Sequence, residues 1–271
     1  TVAKNMSKFF DMLDRDDILM VGDPKVYELI DNMFASLRKS FKTDKIHIGM
    51  DEALNLGKGR YRDENGERDK TEILLEHLNK VCEIAEKYGF KPMMWSDMYF
   101  RISAGNNDYY GKDTIIPKEV ADKIPEEVEL VFWHYGERPY CDDYMLKKHN
   151  ELGRKVIYAG GLWGWVGHFP EHNYSMDAIS YSLSACRNNN VREAMITIWT
   201  NDNNECELFT NLFGLSFFAE KCFDNDVSED KLRSRFEVNT QPAKSKVLAG
   251  LRVNPMDIIT SGGSEDGDAS P

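Results

Sequence analysis

Apolar positions along the chain fall into two alternating rhythms. Asp23 and Pro24 read as a helix N-cap with proline at the first helical position, and Val26, Leu29, Ile30, Met33, Phe34 and Leu37 then recur at helical spacing. That spacing predicts an amphipathic helix. Residues 45–50, KIHIGM, are short, β-branched and closed by acids, the pattern of a buried strand ending in a polar loop. A second helix is predicted over 70–88 from Ile73, Leu74, Leu78, Val81 and Ala85, with Gly89 as its stop. Strands over 90–95, 128–133, 155–160 and 193–199 then alternate with helices over 142–152, 175–188 and 205–223. Repeated strand–helix units imply parallel strands, either in a doubly wound sheet or in a barrel.

The strand ends bear on that choice. Asp51 and Glu52 close the first strand, Trp95-Ser96-Asp97 the next, and Trp133-His134-Tyr135 the third. Tyr158 leads to Trp163 and Trp165, and Trp199-Thr200-Asn201-Asp202 ends the last strand. In a TIM barrel these ends converge on one face, whereas a doubly wound sheet would spread them along an edge. A single tryptophan is often only a core residue. With all five of them at equivalent strand ends, the expected fold is α/β, a TIM (β/α)8 barrel with only about the last five βα units present. The stretch 1–20 reads as the tail of a loop, so the chain reads as N-terminally truncated. The expected organisation is a partial catalytic domain over 1–224, strand 4 to helix 8, then a C-terminal extension over 225–260 and a disordered Gly/Ser/Asp tail over 261–271.

A formal charge of −12 disfavours nucleic acid and anionic membrane as partners and favours a neutral ligand. No run approaches the roughly 18 to 20 apolar residues that cross a bilayer. Cys82, Cys141, Cys186, Cys206 and Cys222 are odd in number and lack paired spacing, so they read as reduced thiols, which leans the expected location towards the cytoplasm. His47, His134, His168 and His172 show no metal-ligand rhythm and read as packing residues. No metal and no cofactor is expected.

Polar clusters walled by tryptophan and tyrosine suit sugars, whose C–H faces stack on aromatic rings while acids and amides bind the hydroxyls. Two acids at a loop start are, without context, more often a solvated turn or helix cap. As a catalytic pair, neighbours on one strand end cannot easily flank an anomeric carbon in the ordinary two-carboxylate schemes. They do suit a route in which the substrate's own 2-acetamido oxygen attacks, one acid holds the amide N–H and the other is acid and then base.

The run Ile46-His47-Ile48-Gly49-Met50-Asp51-Glu52 resembles the H-x-G-x-D-E signature of glycoside hydrolase family 20, the β-hexosaminidases, in its bacterial branch. The resemblance extends from about Asp17 to Phe223 through KPMMWSDMYF, VFWHYGE, VIYAGGLWGW and ITIWTNDNNECE. It implies an exo-β-N-acetylhexosaminidase acting on terminal non-reducing β-linked GlcNAc or GalNAc in N-acetylhexosamine-containing glycans, with retention. By the same resemblance, Asp51 would orient the acetamido group, Glu52 would be the general acid/base and His47 would steady the pair. Trp95, Trp163 or Trp165, and Trp199 would wall the sugar, with Asp97 and Trp133 among the substrate-binding candidates. Tyr158 matches the tyrosine that donates to the acetamido oxygen, with Tyr135 as its competitor. Asn201, Asp202 and Glu205 would meet distal hydroxyls. Two positions depart from the family pattern: Gly160 and Asn201 stand where many members carry acids. The family's substrate-binding arginine comes from a first strand that this sequence does not contain. The rival readings are a TIM-barrel glycosidase for sugars without an acetamido group, and a sugar-binding fragment without turnover.

Overall fold

The computed structural model describes residues 7–105, 109–136, 139–199 and 206–240. It divides into two compact units, Thr1–Phe132 with Lys148–Val156, and Trp133–Lys147 with Ile157–Pro271.

In the first unit, the opening stretch expected as loop holds a 3-10 turn, Ser7–Met12, and a small antiparallel pair, β1 (Leu13–Arg15) and β2 (Ile18–Leu19). Helix α1 (Pro24–Ser40) starts where Asp23 and Pro24 predict, the Asp23 carboxylate accepting the Lys25 N–H. Strand β3 (Lys45–His47), the short helix α2 (Arg60–Asn65) and helix α3 (Lys70–Lys87) follow. Asp69 caps α3 by accepting the Glu72 N–H at 3.1 Å. Then come β4 (Lys91–Trp95), α4 (Asp97–Ala104), α5 (Lys118–Ala121) and β5 (Glu129–Trp133). Strands β3, β4 and β5 are parallel and hydrogen-bonded in chain order, with His47 opposite Met93 and Trp95 opposite Val131.

The core of this unit joins Val26, Ile30 and Phe34 of α1 to Leu74, Leu78 and Ala85 of α3 and to Ile46, Met94 and Leu130 of the strands. At the N-terminal ends of the strands, Glu129 takes ion pairs from Lys45 and Lys155, both at 2.7 Å. The opposite, C-terminal ends are left for the candidate chemistry.

Helix α6 (Pro139–Glu151) leads to β6 (Val156–Gly161), α7 (His172–Asn188) and β7 (Glu193–Thr197). In the second unit β6 and β7 pair in parallel from Ile157 opposite Glu193 to Gly161 opposite Thr197. Strand β7 ends two residues before the expected Trp199. Helix α8 (Leu212–Phe223) is entered through a 3-10 turn, Leu208–Asn211, and so begins later than residue 205. Helix α9 (Glu229–Thr240) packs on α8, with Phe236 edge-on to Phe213 at 5.6 Å. Within the expected extension over 225–260, residues 241–260 lie outside the described residues, as does the tail 261–271.

Candidate active site

The ladder between β3 and β4 runs past the strand proper: the Ile48 N–H donates to the Met93 carbonyl at 2.8 Å and the Trp95 N–H to the Gly49 carbonyl at 3.0 Å. Beyond that anchor the chain turns abruptly. Gly49 has φ 74°, Met50 φ 76° and Glu52 φ 52°. Left-handed backbone costs an ordinary residue about 1–2 kcal/mol, and such strain gathers at functional sites. Among the described residues only Asn190 shares this conformation with Met50 and Glu52 outside glycine. The strain is thus concentrated on either side of Asp51.

Helix α4 supports this turn. Asp97, at 0% exposure, accepts the Glu52 N–H on Oδ2 at 3.0 Å, fixing the backbone of the strained residue. The Tyr109 hydroxyl donates to Glu52 Oε1 at 2.6 Å. Arg101, one turn along α4 from Asp97, places its guanidinium 3.8 Å over the Tyr109 ring. Behind the turn, His47 accepts the Gly49 N–H on Nδ1 at 3.1 Å and lies against Trp95 with ring centroids 4.3 Å apart. That bond puts the imidazole proton on Nε2.

Asp51 and Glu52 are both exposed as residues. Even so, desolvation around the Asp51 carboxyl, with the Glu52 charge adding to it, pushes its pKa above the usual 3.8. Burial holds His47 down at about 4, so it is neutral near pH 7. Desolvation, with the bond to Glu52 next, raises Tyr109 above 10.0, which keeps its proton in place as a donor. The arrangement therefore offers one exposed carboxyl in a desolvated setting, a second held by a neutral phenol, and a rigid turn that fixes both.

In the second unit the strand ends gather aromatic rings. Trp133 stacks on Tyr135 at 5.4 Å, Tyr135 meets Trp165 at 5.6 Å, Trp165 meets Trp163 at 5.0 Å, and Trp163 meets Tyr174 at 4.7 Å. Trp163 Nε1 donates to the Tyr135 carbonyl at 2.6 Å. Gly161 makes the cluster possible, since a Cβ there would lie 2.8 Å from ring atoms of both Trp165 and Tyr135.

No protein-family model matches the chain, and no curated protein matches it significantly. Among solved structures it is similar to the family 20 exo β-N-acetylglucosaminidase from Vibrio harveyi, solved with N-acetylglucosamine, at 15% identity over 89% of this chain and 38% of that one, with a TM-score of 0.53. It is also similar to a second β-N-acetylhexosaminidase, at 14% identity over 85% of this chain and 49% of that one, with a TM-score of 0.55. The fold is family-20-like. This chain spans less than half the length of either solved chain.

Within this family-20-like fold the expected residues form two groups. Asp51, Glu52, His47, Trp95 and Asp97 come together at the ends of β3 and β4, and Trp133, Tyr135, Trp163 and Trp165 come together in the second unit. Two of the expected residues lie deep in the protein. Asp97 was expected to bind substrate, but it is fully buried and spends its carboxylate on the Glu52 backbone. Tyr158, expected to serve the acetamido oxygen, is 1% exposed and donates its hydroxyl to the His134 carbonyl at 2.9 Å. Trp95, at 8% exposure, meets the site through His47 and the Gly49 carbonyl. Trp199 is exposed at the end of a described segment, and Asn201, Asp202 and Glu205 lie outside the described residues.

Tyr109, Arg101 and Tyr174 escape the sequence reading: Tyr109 lies in a loop, and neither Arg101 within α4 nor Tyr174 in the first turn of α7 belongs to a motif. Among the described residues no group of His, Cys, Asp and Glu could hold a metal ion, and no helix is long and apolar enough to cross a membrane. Cys82, Cys186 and Cys206 are buried and Cys222 is exposed, and the Cys141 side chain is outside the described set.

Proposed function

We propose that this chain carries part of the catalytic module of an exo-β-N-acetylhexosaminidase that works with retention and with help from the substrate's own acetamido group. The observation that carries the reading is the strained turn at the end of β3, which holds Asp51 and Glu52 side by side with Glu52 hydrogen-bonded through both backbone and carboxylate. Its setting supports the reading, since the similar solved structures are β-N-acetylhexosaminidases and one was solved with N-acetylglucosamine.

Adjacent carboxyls on one turn reach one side of a glycosidic centre, so they cannot act as opposed nucleophile and acid. The substrate then supplies the nucleophile. In the first step the acetamido carbonyl oxygen bonds to C1 while the C1–oxygen bond to the leaving group breaks. Glu52 passes its proton to that departing oxygen, and Asp51 accepts the hydrogen bond of the acetamido N–H, favouring the positive charge that develops on the cyclised group. In the second step Glu52 takes a proton from water as the water opens the ring at C1. The aromatic rings clustered in the second unit, Trp133, Trp163 and Trp165 among them, are of the kind on which sugars stack.

The test is Glu52→Gln in the protein at its natural length, assayed on a chromogenic β-GlcNAc substrate. General acid/base groups contribute about 10²- to 10⁴-fold, and a kcat loss of that size with the fold retained is expected. Activity unchanged by the substitution removes Glu52 from the mechanism. Ligand binding with no turnover in the unsubstituted protein favours the sugar-binding reading instead.

A further inference from the structure

Glu52 is held by two separate devices. Asp97 fixes its backbone, while its carboxylate is met by Tyr109, a residue from the segment after α4. The phenol is itself held: Arg101 is 5% exposed and stacks its guanidinium 3.8 Å from the centre of the Tyr109 ring. Among the described residues Nε and Nη1 of Arg101 have no hydrogen-bond partner, and the guanidinium lies over the face of the Tyr109 ring. A positive charge beside a phenol polarises its O–H and makes it a stronger donor. From the same helix, one turn apart, Asp97 and Arg101 therefore act on the two ends of one residue.

We propose that Tyr109, backed by Arg101, is a positioning residue for the reaction assigned above. It fixes the Glu52 carboxyl in one rotamer by donating to Oε1, which leaves Oε2 as the oxygen that gives and takes the proton. The proposal rests on the reading of Glu52 as the acid/base. Proton delivery depends on placement within hydrogen-bond reach of the leaving oxygen, and a glutamate free to rotate about its side-chain torsions spends part of its time elsewhere. The proton itself does not pass to Tyr109, whose pKa is held above 10.0 by desolvation first and by the bond to Glu52 next.

The experiment compares Tyr109→Phe, Glu52→Gln and the double variant in the protein at its natural length. The substrates are two β-GlcNAc glycosides, one with a poor alkyl leaving group and one with an activated aryl leaving group. An activated aryl oxide departs with little help from an acid. Tyr109→Phe should therefore lower kcat on the alkyl glycoside about 10-fold, the worth of a hydrogen bond to a charged group, with KM nearly unchanged and a much smaller loss on the aryl glycoside. In the Glu52→Gln background the same change should have no further effect, because its only route to the substrate is gone.

Equal losses on the two substrates, or a further full loss in the Glu52→Gln background, would mean a merely structural tyrosine and would overturn the proposal. Full activity of Tyr109→Phe on both substrates would overturn it as well. If Glu52→Gln itself shows no preference for the activated leaving group, the acid/base reading fails; if it does and Tyr109→Phe does not, only this inference fails. Should Tyr109→Phe not fold, Arg101→Lys, which keeps the charge but loses the planar face, provides the same comparison with a smaller expected loss in the same direction.

Discussion

Asp51 brings the physical chemistry of a single residue into view. Its carboxyl is raised above 3.8 because its surroundings strip water from it, and Glu52 beside it adds like charge. A carboxyl whose folded pKa is raised stabilises the fold below its unfolded value, and that contribution is lost as pH rises through the folded value. Near pH 7 the ionised Asp51 is therefore a cost. Asp51→Asn should leave the melting temperature at pH 7 equal or higher while lowering kcat by at least about 10²-fold, with KM less affected. Under the proposed mechanism, an acid limb of the kcat profile due to Asp51 should also vanish. Melting curves and pH–rate profiles of the two proteins check both statements, and a clear loss of stability at pH 7 would contradict the first. Asp51 and Glu52 stood out in the chain through the resemblance of residues 46–52 to a family signature, since two acids at a loop start are by themselves more often a solvated turn. Tyr109 did not: its bond to Glu52 spans 57 residues and depends on how a loop folds back.

The elements themselves were legible wherever a cap and a periodicity coincide. Asp23-Pro24 and Asp69 both accept backbone N–H groups at the starts of α1 and α3, and each helix then buries one stripe. Helix α4 had no such signal. Residues Asp97 to Arg101 are all buried, so no polar face marks the helix, and it starts two residues after β4 ends with no turn between. Helix α9 was missed for the opposite reason, being polar around most of its surface. The length of β7 was overread because the apolar run continues through Ile198 and Trp199 after the pairing stops. In the second unit, Gly161 yields an element-scale prediction. Adding a methyl there puts a carbon 2.8 Å from Trp165 and Tyr135. Gly161→Ala should destabilise by about 1–3 kcal/mol and change the tryptophan fluorescence of the folded state, as denaturant titration followed by emission would report. An unaltered spectrum with unaltered stability would show that the rings do not pack on that backbone.

For the molecule as a whole, acidic pH should be the weak side. Burial holds both His47 and His77 down at about 4, and His77 shares a hydrogen bond of 3.2 Å with Tyr27 that ties α3 to α1. Depressed histidines bind fewer protons folded than unfolded, so their contribution is full above 6.5 and is lost as pH falls from there towards about 4. The urea midpoint should drop across that interval, and His77→Gln should flatten the drop; a midpoint constant over the interval would contradict this. The parallel direction of the strands could be read from alternation alone, while two compact units could not, since nothing in the pattern around 132–157 differs from any other strand–helix junction.

The account stands on the acetamido group of the substrate as nucleophile. The most direct measurement sets matched chromogenic β-GlcNAc and β-glucoside substrates against the protein at its natural length, with and without a thiazoline that mimics the cyclised intermediate. The account predicts cleavage of the first substrate alone and its inhibition by the thiazoline. Comparable cleavage of the glucoside, unaffected by the thiazoline, would contradict it.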